Sequence, residues 1–104
     1  MSLFAVHCRD APASRERREL YLEAHLAHVA DHIERYLVAG PLRDPAGATV
    51  GSLLIVEARD EHDARAFIAA DPYHAADVWA EVHVDAFTAA AGRWVGGAAW
   101  RTGS

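Results

Sequence analysis

Apolar positions change period several times along the 104-residue chain, and each change marks a structural element. Residues 2–8, SLFAVHC, place Leu3, Ala5 and His7 on one face and Phe4, Val6 and Cys8 on the other. That pattern predicts a β-strand with apolar side chains on both faces. The segment RDAPAS breaks it, and Ser14 stands where an N-cap belongs, so a helix is expected over Arg15–Ile33. Within it Leu22, Leu26, Val29 and Ile33 recur at i, i+4, i+7 and i+11, which makes one apolar stripe.

RYLVAGPL reads as a second strand stopped by Gly40-Pro41, because proline cannot donate to a ladder. RDPAGATVG follows as a turn-rich loop. SLLIVEA is a third strand with Leu53 and Ile55 on one face and Leu54 and Val56 on the other. EHDARAFIAA, residues 61–70, forms a short helix burying Ala64, Phe67 and Ile68. WAEVHVDAF alternates as a fourth strand, with Val82, Val84 and Ala86 opposite Trp79, His83 and Phe87.

The resulting order is β-α-β-β-α-β, an α+β, ferredoxin-like arrangement. Two helices cover one face of a four-stranded sheet, yet the first and third strands are apolar on both faces. The uncovered face would be an exposed apolar patch. A second copy packed sheet against sheet resolves the surplus, so a homodimer or a higher oligomer is expected.

Composition narrows the function classes. The chain is one domain with a single modest core. Its formal charge is −5, and the ten basic residues are all arginines, scattered apart from the RERR at 15–18. A net acidic domain without a basic face argues against nucleic acid as a partner. No apolar run is long enough for a bilayer span and no secretory leader opens the chain, so no membrane association and a cytoplasmic location are expected. Cys8 is the single cysteine, which rules out an intrachain disulfide.

Two side chains stand out as candidate chemistry. On the first helix His25 lies roughly 60° from the centre of the apolar stripe, and His28 about 120°, at 100° per residue. His25 therefore sits at the border with the sheet, whereas His28 points more towards solvent. His25 and His32 are two turns apart, roughly 10 Å, too far to share one ion, so no metal site is expected. Asp71, in ADPYHAADVW, reads equally as the N-cap of a turn beginning at Pro72 and as a functional carboxylate. One oxygen can cap while the other accepts from an imidazole. Such a pairing fixes the imidazole tautomer and supplies a general acid or base. Phosphate loops, dinucleotide fingerprints and nucleophilic Ser or Cys motifs are absent, which argues against nucleotide cofactors and covalent catalysis.

AHLAHV on the first helix, VAGPL on the second strand, GSLLIVEA on the third and ADPYHAADVW before the last occur in an order that resembles the YciI-related (YCII) family. The resemblance spans residues 2–88 and implies the dimeric α+β barrel fold. It implies that His25 and Asp71 are a catalytic or ligand-binding dyad. Many members carry arginine three residues before the histidine, where this chain has Leu22; Arg18, one turn further back, is the candidate substitute. The glycine commonly found after DPY is replaced here by Asp77 or its neighbour. Ser52, at the head of the third strand, reads equally as a hydroxyl lent to the site and as a strand-start residue facing water.

One branch of that family eliminates chloride from a chlorinated hydroxyquinone. The resemblance therefore implies a cofactor-independent lyase or isomerase acting on a small carbonyl or aromatic molecule, with His25 moving the proton and Asp71 orienting it. The alternative is a non-catalytic small-molecule-binding or regulatory dimeric module. Ser52, Tyr73 and Arg18 are the candidate substrate-binding residues. Outside the 1–88 domain the 89–104 tail carries Trp94 and Trp100, expected to pack on the domain or on the partner subunit.

Overall fold

The computed structural model describes residues 1–100. Four long strands form one antiparallel sheet: β1 Ser2–Asp10, β2 Tyr36–Arg43, β3 Thr49–Ala58 and β4 Trp79–Phe87. They lie in the order β2-β3-β1-β4. Helix α1, Arg15–Asp31, joins β1 to β2 through a 3-10 turn at Ile33–Arg35. Between β3 and β4 come α2, Glu61–Ala69, and the single turn α3, Pro72–Ala75. This is the ferredoxin-like α+β order that the periodicity predicts. Beyond Phe87 the tail makes a small ribbon from β5, Ala91–Gly92, and β6, Gly97–Ala98, with a 3-10 turn at Arg93–Val95 between them. The part of the tail expectation that falls on 101–104 lies outside the described residues.

Alternation in the central strands builds the core. Phe4, Val6 and Cys8 of β1, Leu54, Val56 and Ala58 of β3, and Val84 of β4 point to the helix side and are buried. Ala64, Phe67 and Ile68 of α2 close over them, as their spacing predicts. Asp60 accepts from the Asp63 amide at 2.8 Å and caps α2.

Three local expectations need correction. β2 runs through Gly40-Pro41 to Arg43 instead of stopping there, because it is an edge strand and Pro41 can lack a donor without breaking the sheet interior. Trp79 does not lie on the open face. The β1–β4 register shifts between Arg9 and Asp10, so Arg9 faces Glu81 but Asp10 faces Trp79. That bulge turns the indole to the helix side, where it is buried.

The third correction concerns α1, which has no buried residue. Leu22, Leu26 and Ile33 of its apolar stripe are exposed, at 46%, 54% and 59%. The helix is rotated so that Arg18, His25 and His28 face the body of the protein. Partly buried hydrogen bonds and ion pairs on that polar face fix the rotation, and the leucines are left outside. Ser14 precedes the helix as expected but makes no side-chain cap; its hydroxyl donates to Asp10 at 3.2 Å.

Candidate active site

Asp71 ends α2 and begins α3. Its amide donates to the Ile68 carbonyl at 3.1 Å, and its own backbone is extended. One carboxylate oxygen accepts from the Tyr73 amide at 2.8 Å, while Pro72 occupies the first helical position. The side chain is 1% exposed, so its charge needs a partner. That partner is His25, whose Nδ1 lies 2.8 Å from both carboxylate oxygens. A carboxylate only accepts, so Nδ1 carries the proton and donates. The lone pair of the neutral ring is thereby placed on Nε2. No described residue bonds Nε2, it is not sealed from solvent, and the His25 side chain remains 17% exposed.

The imidazole is also fixed in plane. It stacks on the Tyr73 ring with centroids 3.9 Å apart and an angle of 6° between planes. Trp79 meets both rings edge to face, 6.4 Å from His25 and 5.9 Å from Tyr73. With a hydrogen bond at one edge and a ring on one face, His25 has little freedom to turn. Cap and imidazole partner, the two roles open for Asp71 in the sequence, are filled by one carboxylate.

Arg18 and Ser52 belong to a second cluster. Two guanidinium nitrogens of Arg18 donate to the two oxygens of Asp10, at 2.7 and 2.9 Å, in a bidentate pair. The same Nη2 reaches the Gly51 carbonyl at 3.2 Å and the Ser52 hydroxyl at 3.1 Å. Ser52 is buried in this cluster, so the reading of a hydroxyl facing water is set aside. Burial would lower the pKa of Arg18, but the hydrogen bond and charge of Asp10 outweigh it and raise it. Its guanidinium is engaged with Asp10, whose importance sequence reasoning missed. The proline-rich break after Asp10 looked like punctuation, and no spacing rule links residues 10 and 18 across it.

Tyr73 joins the two clusters. Its hydroxyl donates to the Arg18 carbonyl at 3.2 Å, and the guanidinium carbon stands 5.1 Å from its ring centroid. Burial raises the Tyr73 pKa, opposed by the Arg18 charge. Deeper in, burial and the Asp71 charge push the Cys8 thiol up to about 12, and the same two causes carry the Tyr36 phenol to about 12. All three hydroxyl and thiol groups stay protonated near neutrality.

Two buried polar atoms lack a protein partner among the described residues: Trp79 Nε1 and His28 Nε2. His28 packs on Phe67 and His32, with centroids 5.9 and 4.5 Å away. The expectation that it points to solvent is corrected by the rotation of α1. Asp77, after α3, has φ of 57°, the left-handed region that favours glycine. It therefore stands where a glycine would be easiest. Among the described residues no group of three or more side chains is arranged to hold a metal ion.

The comparisons bear on the family and the fold. The YCII-related domain matches residues 2–88. Protein YciI of Escherichia coli is 38% identical over 93 residues, covering 82% of this chain and 95% of that protein, and Protein YciI of Shigella flexneri matches equally. Among solved structures, 5-chloro-2-hydroxyhydroquinone dehydrochlorinase from Burkholderia phenoliruptrix, in complex with 2,5-dihydroxybenzoquinone, superposes with a TM-score of 0.77. It is 27% identical, with 88% of this chain and 96% of that one covered. The fold is thus the α+β subunit of the dimeric barrels, and the chain belongs to the YCII-related domain family.

Proposed function

We propose that the protein is a cofactor-independent lyase or isomerase acting on a small phenolic or carbonyl molecule. The observation that carries this reading is the His25–Asp71 contact at 2.8 Å, which leaves Nε2 as the base. Nε2 takes a proton from an acidic C–H or O–H of the substrate. The electron pair left behind either expels a leaving group, as in a lyase, or shifts a double bond, as in an isomerase. The imidazolium formed is stabilised by Asp71 and returns its proton to product or to water. The buried Trp79 N–H, without an acceptor among the described residues, is suited to hold a substrate oxygen beside the ring. Likeness to an enzyme bound to a dihydroxybenzoquinone supports an oxygenated ring as substrate.

Partner choice follows from the sheet. Leu53, His7 and His83 are exposed on the face away from the helices, and a second copy covering them gives the dimer expected from the alternation. A second reading, a binding or regulatory module, is favoured by one observation. A cavity of about 610 Å³ lies on that face, and neither His25 nor Asp71 lines it.

The decisive experiment compares turnover of chlorinated and unchlorinated hydroxyquinones by wild type, His25→Ala and Asp71→Asn. Asn still caps α3 but cannot stabilise the imidazolium, so kcat should fall about 10²- to 10⁴-fold with KM little changed. Turnover indifferent to both substitutions would sink the dyad. Tight binding of 2,5-dihydroxybenzoquinone without turnover of any substrate would favour the second reading.

A further inference from the structure

The tail stands on the open face of the sheet as a defined element whose packing is incomplete. Its short strands pair Ala91 with Ala98 and Gly92 with Gly97, and the Ala99 amide donates to the Ala90 carbonyl at 2.7 Å. The turn between them, Arg93–Val95, overhangs Leu3, Val38, Leu53, Ile55 and Phe87 but leaves about 610 Å³ between itself and that floor. Protein interiors are close-packed, so an apolar gap of this size is not a finished core. The side chains that could close it stay largely in solvent: Trp94 is 80% exposed and Val95 46%. The YCII-related match ends at residue 88, so the ribbon lies beyond the matched domain. Charges on this face are unmatched too. Asp85 stands opposite Ala5, and Glu57 opposite Leu3, which puts both carboxylates on the open side of the sheet. Arg9 and His83 both approach Glu81, but Asp85 has no cation partner among the described residues. Nor has Arg93 a carboxylate partner among them.

We propose that the tail is a clasp for a second copy of this chain: Trp94 and Val95 of one protomer pack on the open sheet face of its partner, and Arg93 pairs with the partner's Asp85. Resting on the sheet-to-sheet dimer of the proposed function, the clasp names the segment that closes it. Two sheets packed face to face stand about 10 Å apart, so a ribbon lying on one face falls within the layer that the other must fill. A second copy on this face therefore meets the tail, and its side chains fill the gap beneath the turn. In a two-fold dimer each contact is made twice, so two indoles leave water and two arginines meet two carboxylates. An aromatic anchor buried at an interface carries a large share of the binding energy, and the charge pair fixes the register of one copy on the other. Gly92 and Gly96, with φ of 135° and 81°, flank the turn and adopt that backbone easily, so its shape is set before the partner arrives.

The test is sedimentation equilibrium of the full-length chain, wild type against variants at exposed positions that leave the helix-side core untouched. Trp94→Ser should raise the dimer dissociation constant about 30-fold or more, as loss of an interface anchor does. Arg93→Glu and Asp85→Arg should each weaken the dimer about tenfold by setting like charges together, and the two changes combined should restore it. Leu26→Ser, on the exposed flank of α1, should leave the constant unchanged. A wild type that stays monomeric at high concentration overturns the dimer and the clasp with it. A dimer indifferent to Trp94→Ser and to Arg93→Glu overturns the clasp alone and leaves the dimer standing. Failure of the combined charge swap to recover the loss likewise overturns the proposal, because Arg93 and Asp85 then do not meet.

Discussion

Asp71 serves His25 and the backbone at once: both of its oxygens stand 2.8 Å from His25 Nδ1, and one also accepts from the Tyr73 amide at 2.8 Å. The cap holds the carboxylate still, and the carboxylate holds the imidazole. Positioning of the base therefore depends on a helix terminus of four residues. In wild type the Nδ1–H tautomer should dominate in long-range ¹H–¹⁵N spectra of the neutral ring. Asp71→Asn should keep α3 intact, since Asn also caps, yet lose this single-tautomer signature. A mixed tautomer population already present in wild type would contradict the contact.

The Arg18–Asp10 pair is the second anchor of α1. Their side chains are 16% and 6% exposed, so breaking the pair leaves a nearly buried charge. Asp10→Ala should cost about 3–5 kcal/mol in denaturant unfolding. Asp10→Ala with Arg18→Met should cost less than the sum of the single changes, with a coupling on the order of 1–3 kcal/mol. Additive effects would mean that the bidentate geometry contributes nothing beyond its parts.

Much of the fold was legible from alternation, because burial on the helix side of β1 and β3 follows the period-2 pattern residue by residue. The cap at Asp71 was legible too, from Asp-Pro alone. What failed was the facing of α1. A leucine stripe outranks histidines and arginines in any hydropathy reading, but the helix is oriented by the His25–Asp71 and Arg18–Asp10 bonds. Those bonds join residues 46 and 8 apart in sequence, and nothing in the spacing announces them. Trp79 failed for a related reason: a one-residue bulge reverses every face assignment beyond it.

Gly51 couples the sheet to this second anchor. A Cβ built there would collide with the Cys8 carbonyl on the neighbouring strand, which is backbone and cannot swing aside. Gly51→Ala must push β3 away from β1 where the Gly51 carbonyl accepts from Arg18. The expected loss is roughly 1–3 kcal/mol, from overpacking. Amide exchange should quicken at Cys8 and Arg9 before it does so at the far end of β1. Unchanged stability would show that the strands separate there without penalty.

His28 sets an acid limit on stability. Burial lowers its pKa below the ordinary value of 6.5; the Asp71 and Asp31 charges oppose that shift, whereas His32 and His25 add to it. Phe67, packed on its ring, brings no charge. Between the folded value and 6.5 the unfolded chain holds more protons than the folded one, so stability rises with pH across that window. Conversely, stability is lost as pH falls from 6.5 through the folded value, at no more than about 1.4 kcal/mol per pH unit for one proton. Replacing His28 with Phe keeps a ring against Phe67 and removes the titrating group and the unpartnered Nε2. His28→Phe should therefore flatten the acid side of the stability profile and leave the values above pH 7 little lowered. The measurement is urea unfolding from pH 5 to 8 on both proteins. Parallel profiles would show that protonation of His28 does not oppose folding.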